Sequence, residues 1–170
     1  MRMMSKSVLA ALVLSAAATP ALAASANGTA TVTILRHITV TKNSDLQFGT
    51  VVEPSSGSAT VTIDTAGTRT TTLDVGGAPF AVSDFTVAGE GASPVMVSVP
   101  ATFTITNQTT TGTLTVTTTG NTLNTGSQTL SGTFGSPGVL DVKVGGQITV
   151  QSTTNSGLYS GTFAVTASYN

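Results

Sequence analysis

The chain of 170 residues is long enough for one domain, and only 8% of its residues are charged. Six basic and seven acidic side chains give a formal net charge of −1, which argues against nucleic acid or an anionic membrane surface as a partner, because both require clustered Lys and Arg. Cysteine is absent, so disulfides are excluded and stability must come from a buried core.

The N-terminal segment has the pattern of a secretory signal peptide. Met1–Ser7 carries two basic residues, Val8–Ala18 is apolar, and Ala21–Ala23 has the small-x-small pattern of a cleavage site. A transmembrane anchor is the alternative, but the apolar run is far short of the ~20 residues that span a bilayer. We therefore expect residues 1–23 to be removed on export to the periplasm, the cell surface or the medium. The mature chain would have a net charge of −3 and no membrane span.

Residues 24–34 form an N-terminal arm of small and polar residues with a weak strand pattern. Side chains on a strand point alternately to its two faces, so every second residue shares a face. In the arm these positions are small or apolar, and the pattern strengthens toward the C-terminal end. They are Ala26, Gly28, Ala30, Val32 and Ile34.

Residues 35–170 show short strand patterns separated by turn signals every eight to twelve residues. The predicted strands before the last one are Ile38–Val40, Leu46–Val52, Ala59–Asp64, Arg69–Val75, Phe80–Val87, Val95–Val99, Thr102–Thr106, Leu114–Val116, Val139–Val144 and Gln147–Gln151. The Gly145-Gly146 pair between the last two predicts a two-residue hairpin. No segment of the mature chain has apolar residues at helical spacing. These patterns predict a single all-β domain, an antiparallel sandwich.

The C-terminal stretch has the clearest strand pattern. From Tyr159 to Tyr169 the odd positions read Tyr, Gly, Phe, Val, Ala and Tyr, and the even positions between them are Ser, Thr or Ala. A strand of this kind has one apolar face and one hydroxyl-rich face. We predict one long strand that the remainder of the sandwich packs against.

The chain offers few groups for catalysis or metal binding. His37 is the only histidine, so no Ser–His or Cys–His pair stands out beyond this residue, and it is more simply a polar side chain near a strand end. The carboxylates are dispersed and lack the spacing of a calcium loop. We therefore predict no enzyme activity, no catalytic or metal site and no cofactor. The Thr-rich segment 109–119 could offer hydroxyls to a ligand, but its pattern does not repeat along the chain and the sequence has no tryptophan for stacking a sugar, so we favour an exposed strand and loop.

Both ends of the mature chain resemble the subunits of chaperone–usher pili. The last strand has Gly157 thirteen positions before the end, alternating apolar side chains and the penultimate aromatic residue Tyr169, as in the C-terminal motif of those subunits. The arm is similar to their N-terminal donor extension, which also alternates.

The mature chain also resembles a family of small secreted bacterial proteins known only as a domain of unknown function. This resemblance covers nearly everything after Ala30. It rests on Ile38–Gly49, on the Gly145-Gly146 pair and on the stretch 157–169.

The pilus resemblance implies an immunoglobulin-like antiparallel β-sandwich that lacks its last strand. In that family a groove beside the C-terminal strand is filled first by a chaperone and then by the arm of the next subunit, which is β-augmentation. The resemblance implies that the acceptor groove and C-terminal motif comprise Gly157, Tyr159, Phe163, Val165, Ala167 and Tyr169. It implies that the donor strand comprises Ala26, Gly28, Ala30, Val32 and Ile34.

We therefore expect a secreted, fimbria-like structural or adhesion subunit at the cell surface. Its partners would be proteins, either further copies of itself or a periplasmic chaperone. Two alternatives remain open. One is a self-complete monomeric sandwich of unknown binding role, with a disordered arm. The other is a ligand-binding module that uses the Thr-rich face.

Overall fold

The computed structural model describes residues 23–73, 76–123 and 126–170. The predicted signal peptide therefore lies outside the described residues, except for Ala23. The chain divides into two units between Thr33 and Ile34. In the first unit, residues 23–33 have no regular secondary structure and are exposed. Among the described residues, no helix is long and apolar enough to cross a bilayer.

From Ile34 onward the described residues fold as antiparallel β-structure, which confirms the prediction of an all-β, sandwich-like fold. The strands are β1 Thr39–Ser44, β2 Ser58–Ile63, β3 Arg69–Thr71, β4 Ser83–Glu90, β5 Pro94–Ser98, β6 Thr102–Asn107, β7 Thr113–Asn121, β8 Gln128–Thr129, β9 Pro137–Gln151, β10 Tyr159–Ser160 and β11 Thr166–Tyr169. Alternating β-branched and hydroxyl residues in these segments favour half-buried strands.

The strands form one sheet of eight and one of three. The larger sheet runs β1-β4-β9-β7-β6-β10, with β2 also paired to β9 and β3 paired to β2. The smaller sheet runs β11-β5-β8. The first half of β9 pairs with β4 and its second half with β2, so this strand connects two parts of a strongly curled sheet. Strands β10 and β11 both lie at sheet edges.

The predicted hairpin at Gly145-Gly146 is wrong, because β9 passes through both glycines as one strand of 15 residues. The pair marks close packing instead. A Cβ atom on Gly145 would lie 2.5 Å from the carbonyl oxygen of Ile63, and one on Gly146 would lie 2.7 Å from Leu46 Cδ2. The pairing of β9 with β7 also shifts register here, between Thr118 and Gly120. A glycine inside a strand often indicates such a bulge or close approach rather than a turn.

The core consists of two clusters of buried side chains. The first cluster comprises Phe85, Val87, Val95, Leu130, Val142 and Val144. The second comprises Val61, Leu73, Val116, Ile148 and Val150. Strand β9 supplies residues to both clusters, at Val142 and Val144 in its first half and Ile148 and Val150 in its second.

Candidate binding groove

A groove of about 1160 Å³ opens along one side of the sandwich. One wall is made by residues 42–53, and the other by residues 154–163 of the C-terminal stretch. The floor is apolar and draws on both core clusters, through Phe85, Phe103, Ile105, Leu114, Ile148 and Val150. The groove therefore exposes side chains where the two core clusters meet.

The first wall contains the segment predicted as the strand Leu46–Val52. In the structure this segment is not a regular strand, since its backbone forms an isolated bridge between Gln47 and Ala81. Its apolar side chains Leu46, Phe48 and Val51 pack on the second core cluster. Packing thus fixes the segment, while its backbone stays outside the continuous sheet.

The second wall is the C-terminal stretch, which is not the single strand that we predicted. Strand β10 pairs with β6 in the larger sheet, β11 pairs with β5 in the smaller one, and residues 161–165 between them lie outside both ladders. The stretch therefore crosses from one sheet to the other. Gly161 sits at the crossing, where a Cβ atom would collide with the carbonyl oxygen of Thr104. A side chain at this position would push the segment away from β6.

The predicted alternation along this stretch is nevertheless present in the burial pattern. From residue 158 to 170 every even position is exposed, whereas the odd positions except Gly161 are partly buried. Phe163 provides the main contact, because its ring stacks on Phe103 with centroids 4.6 Å apart and meets Phe85 edge-on at 5.8 Å. The aromatic trio joins this wall to the floor.

The structure places the residues assigned to an acceptor groove at different points. Gly157, Tyr159 and Phe163 line the groove, whereas Val165, Ala167 and Tyr169 are partly buried against the first core cluster and are not among its lining residues. Of the residues assigned to the arm, Val32 and Ile34 are 81% and 80% exposed. Ala26, Gly28 and Ala30 are also exposed.

Asn107, which the sequence did not single out, fixes one end of the groove. Its side-chain oxygen accepts hydrogen bonds from the main-chain N–H groups of Thr109 and Thr110, both at 2.9 Å. Its amide nitrogen donates to the carbonyl of Ser156 at 3.1 Å. A Cβ atom on Gly157 would lie 2.7 Å from this side chain. The asparagine thus connects the loop after β6 to the start of the C-terminal stretch.

The core side of β1 is open beside the groove. Val40 is paired with Val87 and Lys42 with Phe85, and directly opposed residues share a face of the sheet. Val87 and Phe85 are buried, yet Val40 is 36% exposed and Lys42 is exposed. The Lys42 ammonium donates to Asp45 at 2.6 Å at the groove rim. The core-side residues Val40 and Lys42 of this edge strand are therefore accessible to solvent.

The other groups considered in the sequence lie elsewhere. His37 is exposed, two residues before β1. Within the described part of the chain, no three His, Cys, Asp or Glu residues are grouped so that they could hold a metal ion. The threonines of β7 face those of β6 in register, as Thr102–Thr117, Thr104–Thr115 and Thr106–Thr113. They form an exposed hydroxyl-bearing face that belongs to neither wall of the groove.

The fold and the groove define a class: a β-sandwich-like protein with an apolar groove open along one edge. Residues 38–169 match the family described as Domain of unknown function (DUF4402), and the chain belongs to that family. This match confirms the expected membership of a family known only as a domain of unknown function. No curated protein and no solved structure matches the chain.

Proposed function

We propose that the protein is a secreted, fimbria-like structural or adhesion subunit of the cell surface, which associates by β-augmentation. In this proposal the arm of one copy, residues 24–34, adds as a strand in the groove of another copy. A periplasmic chaperone could occupy the same groove before assembly. The observation that carries the proposal is the apolar groove between two wall segments that lie at sheet edges or outside regular sheet pairing.

The groove offers what an added strand needs. Main-chain groups at sheet edges can pair with an incoming strand, and each such hydrogen bond contributes about 0.5–1.5 kcal/mol net. Three of the floor residues, Phe103, Ile105 and Leu114, are only partly buried and can bury further area against a new side chain. Main-chain pairing would give affinity, and the floor would select alternate side chains.

The arm has matching chemistry. Residues 24–34 contain no charged side chain, so the arm would bury no charged side chain over the apolar floor. Eleven residues in strand conformation extend about 36 Å, which is the length of a long sheet strand. Small residues at Ala26, Gly28 and Ala30 would allow the backbone to approach the groove closely, while Val32 and Ile34 would supply most of the apolar area.

Deletion of residues 24–31 tests this proposal. The shortened chain should fold but not form oligomers in size-exclusion chromatography. A peptide that copies Ala24–Ile34 should bind it and raise its melting temperature, since a ligand that binds only the folded state stabilises it. A Gly28→Leu peptide should bind more weakly if this position meets the floor, whereas an Asn27→Ser peptide, altered on the opposite face, serves as the matched control.

The same experiment decides between association and the self-complete monomer. A monomeric shortened chain that melts like the full mature chain and ignores the peptide would mean that the sandwich needs no added strand. Oligomers that persist without residues 24–31 would mean that another surface holds the copies together. Either result would exclude association through the arm.

A further inference from the structure

A large aromatic side chain is held in solvent at one end of the sandwich. Phe134 is 61% exposed and lies at the second position of the turn Thr133–Ser136. The turn is closed by a hydrogen bond of 3.0 Å from the Ser136 N–H to the Thr133 carbonyl. At the third position Gly135 has φ of 90°, the positive value that type II turns require and that glycine adopts without strain. The backbone thus fixes Phe134 in an outward position.

A buried carboxylate at the end of β4 ties this turn to the residues that follow the arm. The Glu90 side chain is 4% exposed and lies 3.5 Å from Nε of Arg36. It also accepts hydrogen bonds from the main-chain N–H of Arg36 at 3.3 Å and from the main-chain N–H of Gly135. A buried charge requires such compensation. Arg36 reaches the turn directly as well, because its Nη2 donates to the Gly135 carbonyl at 3.1 Å.

The penultimate tyrosine completes the connection. The Tyr169 hydroxyl accepts from the main-chain N–H of Glu90 at 2.6 Å and donates to the Arg36 carbonyl at 2.7 Å. This hydroxyl lies against β4 only because residue 89 is glycine, where a Cβ atom would be 2.5 Å away. Arg36 is therefore held through its N–H, its carbonyl and its guanidinium. We call Arg36 together with the turn Thr133–Ser136 the root pole.

We propose that the root pole is a second contact surface for the copy of this chain whose groove receives the arm, with Phe134 as its apolar contact. This inference rests on the proposed function. It follows from the short length of chain between the arm and the root pole. The last arm position assigned to the groove, Ile34, precedes Arg36 by two residues, which span at most about 7 Å. The receiving copy must therefore approach the root pole closely. Fixing the pole in advance lowers the entropy lost when two copies associate.

The test compares association of the full mature chain with binding of a free arm peptide. Phe134→Ser should weaken association of the copies, measured by sedimentation, by about tenfold or more, as expected for a central aromatic contact. The affinity for a fluorescent Ala24–Ile34 peptide is measured at a protein concentration at which the wild type is monomeric. This affinity should stay unchanged, because the peptide lacks the root pole. Met96→Ser is the control, since Met96 is an exposed apolar residue of β5 outside both surfaces.

Glu90→Gln gives a second, independent variant, because it keeps the side-chain shape but removes the ion pair with Arg36. It should weaken association severalfold and leave peptide affinity unchanged. If Phe134→Ser and Glu90→Gln associate like the Met96→Ser control while the peptide still binds, the pole inference is wrong and the groove proposal stands. If the wild-type chain stays monomeric and ignores the peptide, both are wrong.

Discussion

The contact of Phe163 with the groove floor makes a quantitative prediction for Phe163→Ala. Complete truncation of a fully buried Phe costs about 3–5 kcal/mol, and a ring that is only partly buried should lose roughly half of that. The ring also makes two aromatic contacts, with Phe103 and Phe85, and such pairs contribute about 0.5–1.5 kcal/mol each. Allowing for overlap between these terms, we expect the free energy of unfolding to fall by about 2–3 kcal/mol.

Equilibrium urea unfolding of the mature chain measures this loss. With an m-value of about 2 kcal/mol per molar urea, the midpoint should fall by roughly 1–1.5 M. Leu158→Ala is the matched control in the same stretch, because Leu158 is 70% exposed and should change stability by no more than about 0.5 kcal/mol. If Phe163→Ala has an effect as small as this control, the C-terminal stretch is not packed on the floor and does not form a groove wall.

Three further predictions concern other points of the structure. Gly146→Val should destabilise the chain by about 1–3 kcal/mol in thermal or urea unfolding, because the new side chain would overpack against Leu46, whereas Gly120→Ala, whose new Cβ would meet only Thr65 at 3.9 Å, should leave the melting temperature nearly unchanged. Asn107→Ala should cost about 2 kcal/mol in the same assay, since it leaves main-chain groups at the groove end without their partner. Intact mass of the protein from its native host should lack residues 1–23, and a mass that retains them would exclude the predicted cleavage.

The fold class follows from the sequence because the alternation of apolar and polar residues along a strand reflects which of its side chains are buried. Strands such as Ser58–Ile63 and Thr102–Asn107 lie within two residues of their predicted bounds. The prediction failed at Gly145-Gly146, because a glycine pair can serve either a tight turn or close packing inside a strand. A Gly-Gly pair between two apolar runs favours a hairpin locally, but in β9 the crowding by Ile63 and Leu46 requires the absence of side chains. Only the tertiary neighbours distinguish these two uses.

The groove could be predicted only in part, for a related reason. The alternation in the C-terminal stretch identified which of its side chains face inward, but not that the stretch changes sheets at Gly161. The residues that hold the root pole were missed because their contacts are distant in sequence. Glu90 is 54 residues from Arg36 and 79 from Tyr169. A lone glutamate at the end of a strand pattern carries no local sign that its carboxylate will be buried.

The composition of the arm bears on how the proposed association would work. Of the five arm positions assigned to the groove, only Val32 and Ile34 are large and apolar, so side-chain burial would be concentrated next to the root pole. Toward Ala26 the affinity would depend on main-chain hydrogen bonds, which require the arm to stay extended and ordered. Ordering the backbone costs about 1–2 kcal/mol per residue, which is comparable to the net free energy that each hydrogen bond contributes. Association would therefore begin at Ile34, where the fixed pole and the largest side chains coincide, and extend toward Ala26 by pairing along the groove.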